Sequence, residues 1–361
     1  VYTKRRRLAV LRRAKDVSLV ARRLAVLAAR RDGRLRPRGR RGRWALPGNV
    51  LPEACRGCVI VHKSHPAILG TQEAAPGARP FQWDPADGAF VVSNRSRSRS
   101  RFTFVTFSGA EARDRWGRPF PRGRNRAGDG ELSDVTTFVV VVRPHSALRI
   151  AHFDARHPGA DVCAFPMETL RRPLARLQRE PPAFAFPLPA SHGPYLCTQG
   201  VGGHLTHFFL ESYHSLDFRC GLHTPVMSIG DGVVKEISEK HTCGGIHVSN
   251  LRTWNAISIE LADGFVVEYV HTLPDSSRVA LGESVRTGQV ICESGDIGFA
   301  PEPHLHIELH AASDPEGPSV PLRFKGTSAP FVPVAGRWYS PSGEVERGPE
   351  PQPSRPCGPQ A

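Results

Sequence analysis

Beyond position 50 the apolar residues fall into short runs, each closed by glycine, proline or an Asp-Gly pair. The clearest are Cys58–His62, Ala89–Val92, Phe102–Phe107, Thr137–Val142, Ala256–Leu261, Phe265–His271 and Leu305–His310. Runs of this kind are too short for amphipathic helices and match strands separated by turns. The 361 residues include 34 Gly and 33 Pro but only 8% aromatics, a mixture that favours many turns over a helical bundle. The longest uncharged apolar run is six residues, Leu24–Ala29, and beyond position 50 it is five, Phe138–Val142. A bilayer-spanning helix needs about 20, so such a helix is excluded. The expected fold is mainly β.

The formal net charge of +14 is a local property. Residues 1–50 hold 17 of the 48 Lys and Arg and only two acids, Asp16 and Asp32; 31 bases and 32 acids remain elsewhere. The body of the chain therefore gives little support to charge-driven nucleic-acid binding. In the basic segment Val10, Ala14, Val17, Ala21, Leu24 and Ala28 recur at offsets of four and three, with Arg12, Arg13, Arg22 and Arg23 between them. This is the pattern of a basic amphipathic helix. It fits an organelle-targeting segment, a membrane-surface helix, an RNA-binding arm or a solvated extension. Residues 33–43 follow as an Arg-rich linker.

Four regions are expected. Residues 1–50 carry the basic helix and linker, and 51–188 form an accessory antiparallel β-domain. Residues 189–330 form a second β-domain, and 331–361 a Pro/Gly-rich tail. Within the first β-domain, Arg95–Arg101 (RSRSRSR) reads as an exposed hairpin loop, because a run of like charge stays solvated. The proline-rich Pro181–Pro189 reads as the boundary. Thr224–Ser238 contains two β-rich stretches around Gly230–Asp231–Gly232. Ala262–Asp263–Gly264 joins its flanking runs as a hairpin, and Val285–Glu293 is a further β-rich run. Residues 190–330 are expected to fold without residues 1–50. The eight cysteines include one C-x-x-C, Cys55 to Cys58, without the second pair that a structural metal site shows.

The chemistry is concentrated in His304–His310, HLHIELH. Side chains alternate along a strand, so His304, His306, Glu308 and His310 share one face and Leu305, Ile307 and Leu309 the other. The apolar face anchors the strand while two imidazoles address one point. A metal site of catalytic type has three nitrogen or oxygen ligands and one open position. Asp217, in an earlier β-rich stretch, and His271, ending the run VEYVH, supply further candidates.

These blocks resemble the lysostaphin-type (LytM-like) zinc endopeptidases, metallopeptidase family 23. The resemblance is carried in order by TQGVGGHLTHF, YHSLDF, HTPVMSIGDGVV, FVVEYVHTL, LGESVRTGQVICESGDIG and PHLHIELH, over roughly residues 195–325. It implies an antiparallel peptidase core of the LytM/duplicated-hybrid-motif type, preceded here by a small β-sandwich-like domain. It implies one zinc ion with Asp217 and His306 as ligands, and His271 and His304 as the catalytic pair. The first ligand departs from the common family spacing of four residues before the Asp. His204, His207 and His214 stand at offsets of thirteen, ten and three. Relatives with a longer insert place a His where His207 falls, whereas strand alternation turns His214 away from Asp217; His204 and His214 stay open as alternatives.

The resemblance further implies metal-assisted hydrolysis of peptidoglycan-type peptides in an extracytoplasmic setting. The alternative is a LytM-like binding or regulatory module without catalysis. Glu308 reads either as an acceptor for a ligand histidine or as an exposed charge at the strand's end. Cys220 reads as packing.

Overall fold

Among the described residues strands form the regular structure, as the short apolar runs predict, with short 3-10 turns at Ala190–His192 and Val248–Arg252. The computed structural model describes residues 57–61, 65–86, 88–98, 100–153, 159–166 and 180–347. The basic segment with its expected helix and linker, Cys55, and the residues from 348 onward lie outside the described residues.

The largest sheet has nine strands. Its order is Ser284–Val285, Gly232–Ser238, Ala256–Leu261, Phe265–Val270, His304–Ala311, Leu216–Arg219, Tyr195–Gln199, Trp338–Ser340 and Gly343–Val345. The Asp-Gly hairpin forms as the sequence predicts, Ala256 pairing with Val270 across it. His304–Ala311 runs through the middle. Leu305, Ile307 and Leu309 are fully buried in a core with Phe218, Tyr269 and Phe324. Burying each such aliphatic side chain contributes about 1.5–3 kcal/mol, which fixes the strand's register and presents its histidine face.

The first half is a two-sheet sandwich. One sheet runs Ile68–Glu73, Ser146–Phe153, Ala89–Asn94, Phe81–Asp84, with Ala112–Arg113 added on Ser146–Phe153. The other contains Gly159–Pro166, Arg101–Ser108, Leu132–Val142 and Gly123–Arg126, with Cys58–Val61 parallel to Leu132–Val142. Phe90, Phe107, Phe138, Ile150 and Phe153 fill the space between them.

Several expectations need correction. The RSRSRSR segment is not a hairpin loop. Its flanking strands, Ala89–Asn94 and Arg101–Ser108, belong to opposite sheets because both must reach the same sandwich core. Pro181–Pro189 is not merely a spacer, since Phe184, Phe186 and Leu188 alternate into the core of the nine-stranded sheet. The run Val285–Glu293 splits at a turn into Ser284–Val285 and Val290–Glu293, which join different sheets. The C-terminal tail begins later than residue 331, because Trp338 and Tyr339 are buried and complete the sheet edge.

The core does not break at 188/189. Gly244–Gly245 and Gly298–Phe299 extend the sandwich's larger sheet. On that sheet's outer face Phe102, Phe104, Val135 and Val139 pack with Leu205, Phe208, Ile246, Val248 and Phe299.

Tyr339 gives a direct check on the C-terminal segment. It is 2% exposed, and its hydroxyl accepts a hydrogen bond from Val334 N at 2.9 Å. Tyr339→Ala is expected to destabilise the chain by about 3 kcal/mol or more, as for other large buried aromatics. Tyr339→Phe should cost only about 0.5–1.5 kcal/mol. Urea unfolding of both variants measures the difference, and wild-type stability in Tyr339→Ala would return this segment to a tail.

Candidate metal centre

Strand register brings the site together. Leu216–Arg219 lies antiparallel to His304–Ala311, with Asp217 opposite His306 and Arg219 opposite His304. On the other side Val270 pairs with His306, so His271 arrives one residue past the strand's end. His271 adopts a left-handed backbone with φ 67°, which is uncommon for a residue with a Cβ. Its N–H donates to Asn255 O at 2.9 Å, holding the turn. Gly298, with φ +99°, lies alongside; a Cβ there would come within 2.9 Å of Trp254 Cβ and 3.3 Å of His271 Nδ1.

His207 comes from the loop after Tyr195–Gln199, and one carboxamide organises that loop. Gln199 Oε1 accepts from Leu205 N and Thr206 N at 3.1 and 3.0 Å. Its Nε2 donates to Asp217 Oδ2 at 2.7 Å. Gln199 thus ties the His207 loop to the aspartate while leaving the other carboxylate oxygen to the centre.

Three atoms converge there. His207 Nε2 lies 3.1 Å from Asp217 Oδ1 and 3.2 Å from His306 Nδ1, and His306 Nδ1 lies 2.9 Å from Asp217 Oδ1. Tetrahedral donors at about 2.1 Å from a small divalent ion stand about 3.4 Å apart. The triangle is a few tenths of an ångström tighter, so these residues fit a metal ion with little movement.

The ring nitrogens are assigned by their partners. His207 Nδ1 donates to Gly200 O at 3.0 Å, leaving Nε2 as the free donor atom. His306 Nε2 lies 3.2 Å from Glu308 Oε2, leaving Nδ1 for the centre. His271 Nδ1 donates to Ile297 O at 2.6 Å and His304 Nδ1 to Glu302 O at 2.7 Å. Every ring is thereby locked in one tautomer and orientation, the arrangement that ligand and catalytic histidines require. The rings of His271 and His304 lie 4.6 Å apart, and both line the same cavity as Asp217 and His306.

Electrostatics follow from burial. Desolvation alone would raise the Asp217 carboxyl, but the charges of His207 and His304 and hydrogen bonds from His207 and His306 hold it well below its ordinary value. Burial would lower His306, whereas hydrogen bonds to Asp217 and Glu308 push it up to about 10. His271 is driven well below 6.5 by burial and by the charges of His304 and His306. It is therefore neutral, with a lone pair on Nε2.

Glu308 is buried, not an exposed terminal charge; Ser215 Oγ donates to its Oε2 at 2.6 Å, and its Oε1 lies 3.3 Å from His310 Nε2. Glu268, Glu308 and His310 form a second close donor group. Its Glu308 oxygens already serve His306, Ser215 and His310, and burial beside Glu308 raises Glu268 to about 7. Both features disfavour a second cation.

Of the other candidates, His204 is exposed and is not in the donor group. His214 sits in a turn, not on a strand, so alternation does not set its direction. Its Nδ1 instead donates to Ser319 O at 2.8 Å. Cys220 packs in the core. Gln199 and the carbonyls of Gly200, Ile297 and Glu302 escape sequence reasoning. Only the Gln-Gly pair before His207 hints at the first of them.

The cavity measures about 380 Å³ and also receives Leu205, Phe209, Leu251 and Trp254. A donor triangle with a cavity on one side has the layout of a catalytic rather than a structural metal site, since structural sites close all four positions with protein. Residues 211–318 match the model for peptidase family M23. His207 lies just before the matched segment.

The chain is 30% identical over 118 residues to glycyl-glycine endopeptidase ALE-1 of Staphylococcus capitis, covering 32% of this chain and 27% of that relative. It is 28% identical over 100 residues to peptidoglycan DD-endopeptidase ShyC of Vibrio cholerae, covering 28% and 20% respectively. Among solved structures, the catalytic domain of a mutant of the prophage-encoded M23 protein EnpA from Enterococcus faecalis aligns over 37% of this chain and 93% of its own. The identity there is 23% and the TM-score 0.29. The match spans only 20–27% of the length of the curated relatives.

His207→Ala and His306→Ala are each expected to weaken divalent-metal binding by more than about 100-fold, beyond the range of supporting residues. His214→Ala should change it by less than about twofold, because its ring is committed to Ser319. Competition titration with a chelating indicator reads all three, and the reverse ranking would make His214 the ligand.

A second expectation concerns protons. His306 holds its proton to about pH 10 in the metal-free chain, and a ligand must be deprotonated. Metal binding at pH 8 should therefore release about one proton and tighten as pH rises. Calorimetry in two buffers of different ionisation enthalpy measures the number released; none released would contradict the assignment.

Proposed function

We propose that the chain is a zinc metalloendopeptidase that hydrolyses peptide bonds in peptidoglycan-type peptides in an extracytoplasmic setting. The observation that carries this reading is the set of four histidines, each with one ring nitrogen held by an oxygen outside the centre and the other turned into the site. His207, Asp217 and His306 supply a nitrogen–oxygen donor set suited to zinc with one position left open. The family match and the names of the relatives support peptide hydrolysis.

When bound, zinc supplies Lewis acidity, polarising the scissile carbonyl and making water easier to deprotonate. The remaining steps belong to the side chains. His271, neutral through burial, accepts a proton at Nε2 from the attacking water, and its Nδ1–H bond to Ile297 O steadies the imidazolium that results. His304, held by Glu302 O, lies beside it and, with both ring nitrogens protonated, donates from Nε2–H to the charge developing on the substrate oxygen. Gln199 prevents Asp217 from rotating, and Glu308 fixes His306 in the tautomer that exposes Nδ1.

His271→Ala and His304→Ala should retain zinc yet lower turnover by about 10²–10⁴-fold, the usual loss for an acid–base group. Zinc content is measured beside digestion of purified cell walls. In the intact chain the acid limb of kcat/KM should fall below 6.5, because burial depresses His271. One zinc per chain without cleavage of any wall would favour the LytM-like binding module instead.

A further inference from the structure

The sandwich and the donor loop meet through aromatic rings. Phe208, adjacent to His207, stacks on Phe102 with ring centroids 3.6 Å apart and planes within 6°. Phe104 lies 5.7 Å from Phe299, nearly edge-on, and 6.5 Å from Phe209. Phe102 and Phe104 belong to the sandwich strand Arg101–Ser108. Phe299 follows Gly298, the neighbour of the carbonyl that orients His271.

Polar contacts run the same way. Gly244–Gly245 pairs with Arg126 and Asn125 on one side and with Gly298–Phe299 on the other. A Cβ on Gly245, whose φ is +110°, would strike Arg124 O at 2.4 Å, so the sandwich backbone seats directly on this strand. Thr137 Oγ1 donates to Ile246 O. Thr106 Oγ1 accepts from Val248 N at 3.0 Å, and Asn250 Nδ2 donates to Asn125 Oδ1 at 2.8 Å. Arg126 bridges to Asp296 Oδ1 at 2.7 Å.

We propose that the β-sandwich is a positioning framework for the metal centre. Phe102 holds the His207 loop through Phe208, and the strand Gly123–Arg126 sets the backbone that bears Ile297 O. The sandwich is therefore not a separable appendage. Without its outer face, Leu205, Phe208, Ile246, Val248 and Phe299 lose their apolar cover, and the loop keeps only hydrogen bonds such as those to Gln199, Gly200 and Tyr213. An aromatic stack beyond area burial is modest in energy, yet a displacement of about 1 Å in a ligand or reacting group has a large effect on a preorganised site. The expected consequence is a loss of metal affinity disproportionate to the loss of stability.

The metal arm of this inference rests on the zinc reading above; a second arm does not. Phe102→Ala and the milder Phe102→Leu are compared with Phe90→Ala in the full chain. Phe90 is also buried in the same sandwich but belongs to the inner core between the two sheets. Zinc affinity should fall about 10–100-fold in Phe102→Ala, the range for residues that orient ligands. It should stay within about threefold in Phe90→Ala, and Phe102→Tyr, which keeps the ring, should restore it. In the metal-free chain, amide hydrogen exchange across residues 204–209 should rise about tenfold or more in Phe102→Ala and Phe102→Leu but not in Phe90→Ala. Equal effects at positions 102 and 90, or unchanged exchange in both Phe102 variants, would overturn the proposal. Absence of zinc binding by the wild type, with the exchange contrast intact, would sink the zinc reading alone.

Discussion

The site depends on one cross-strand register, Asp217 opposite His306 between Leu216–Arg219 and His304–Ala311. A one-residue slip of Leu216–Arg219 would send Asp217 to the apolar face and bring Phe218 toward the pocket. That register is secured by the fully buried Leu305, Ile307 and Leu309 on the reverse face. The same pairing carried one strand further places His271 beside His304. Core packing and site geometry are therefore two faces of one constraint.

Burying an aspartate among histidines is costly unless its charge is matched and its oxygens are bonded. Gln199 satisfies one oxygen of Asp217, and His207 and His306 surround the other. The histidines are held in turn by backbone carbonyls and by Glu308. The result is a polar network whose remaining lone pairs point at a common centre. A network of this kind is poised for a cation, because a dication replaces the shared proton on His306.

The HLHIELH strand was legible because a period of two separates a histidine face from an apolar core face within seven residues. The Asp-Gly turn after Leu261 made the neighbouring hairpin equally plain, and with it the arrival of His271. His207 was singled out through resemblance and not through physics, since it lies in a loop that no periodicity describes. Its supports could not be read at all: the carbonyls of Gly200, Ile297 and Glu302 carry no residue signature. Long-range packing was the other blind spot. Nothing local tells that Phe102 meets Phe208, that Tyr339 closes a sheet edge, or that proline-rich Pro181–Pro189 threads a core.

X-ray absorption at the zinc edge on the full chain loaded with one equivalent of zinc tests the central claim most directly. The account predicts two imidazole nitrogens and oxygen donors at about 2.0–2.2 Å, with no sulfur. A sulfur scatterer near 2.3 Å, or a shell with fewer than two imidazoles, would place the metal elsewhere and contradict it.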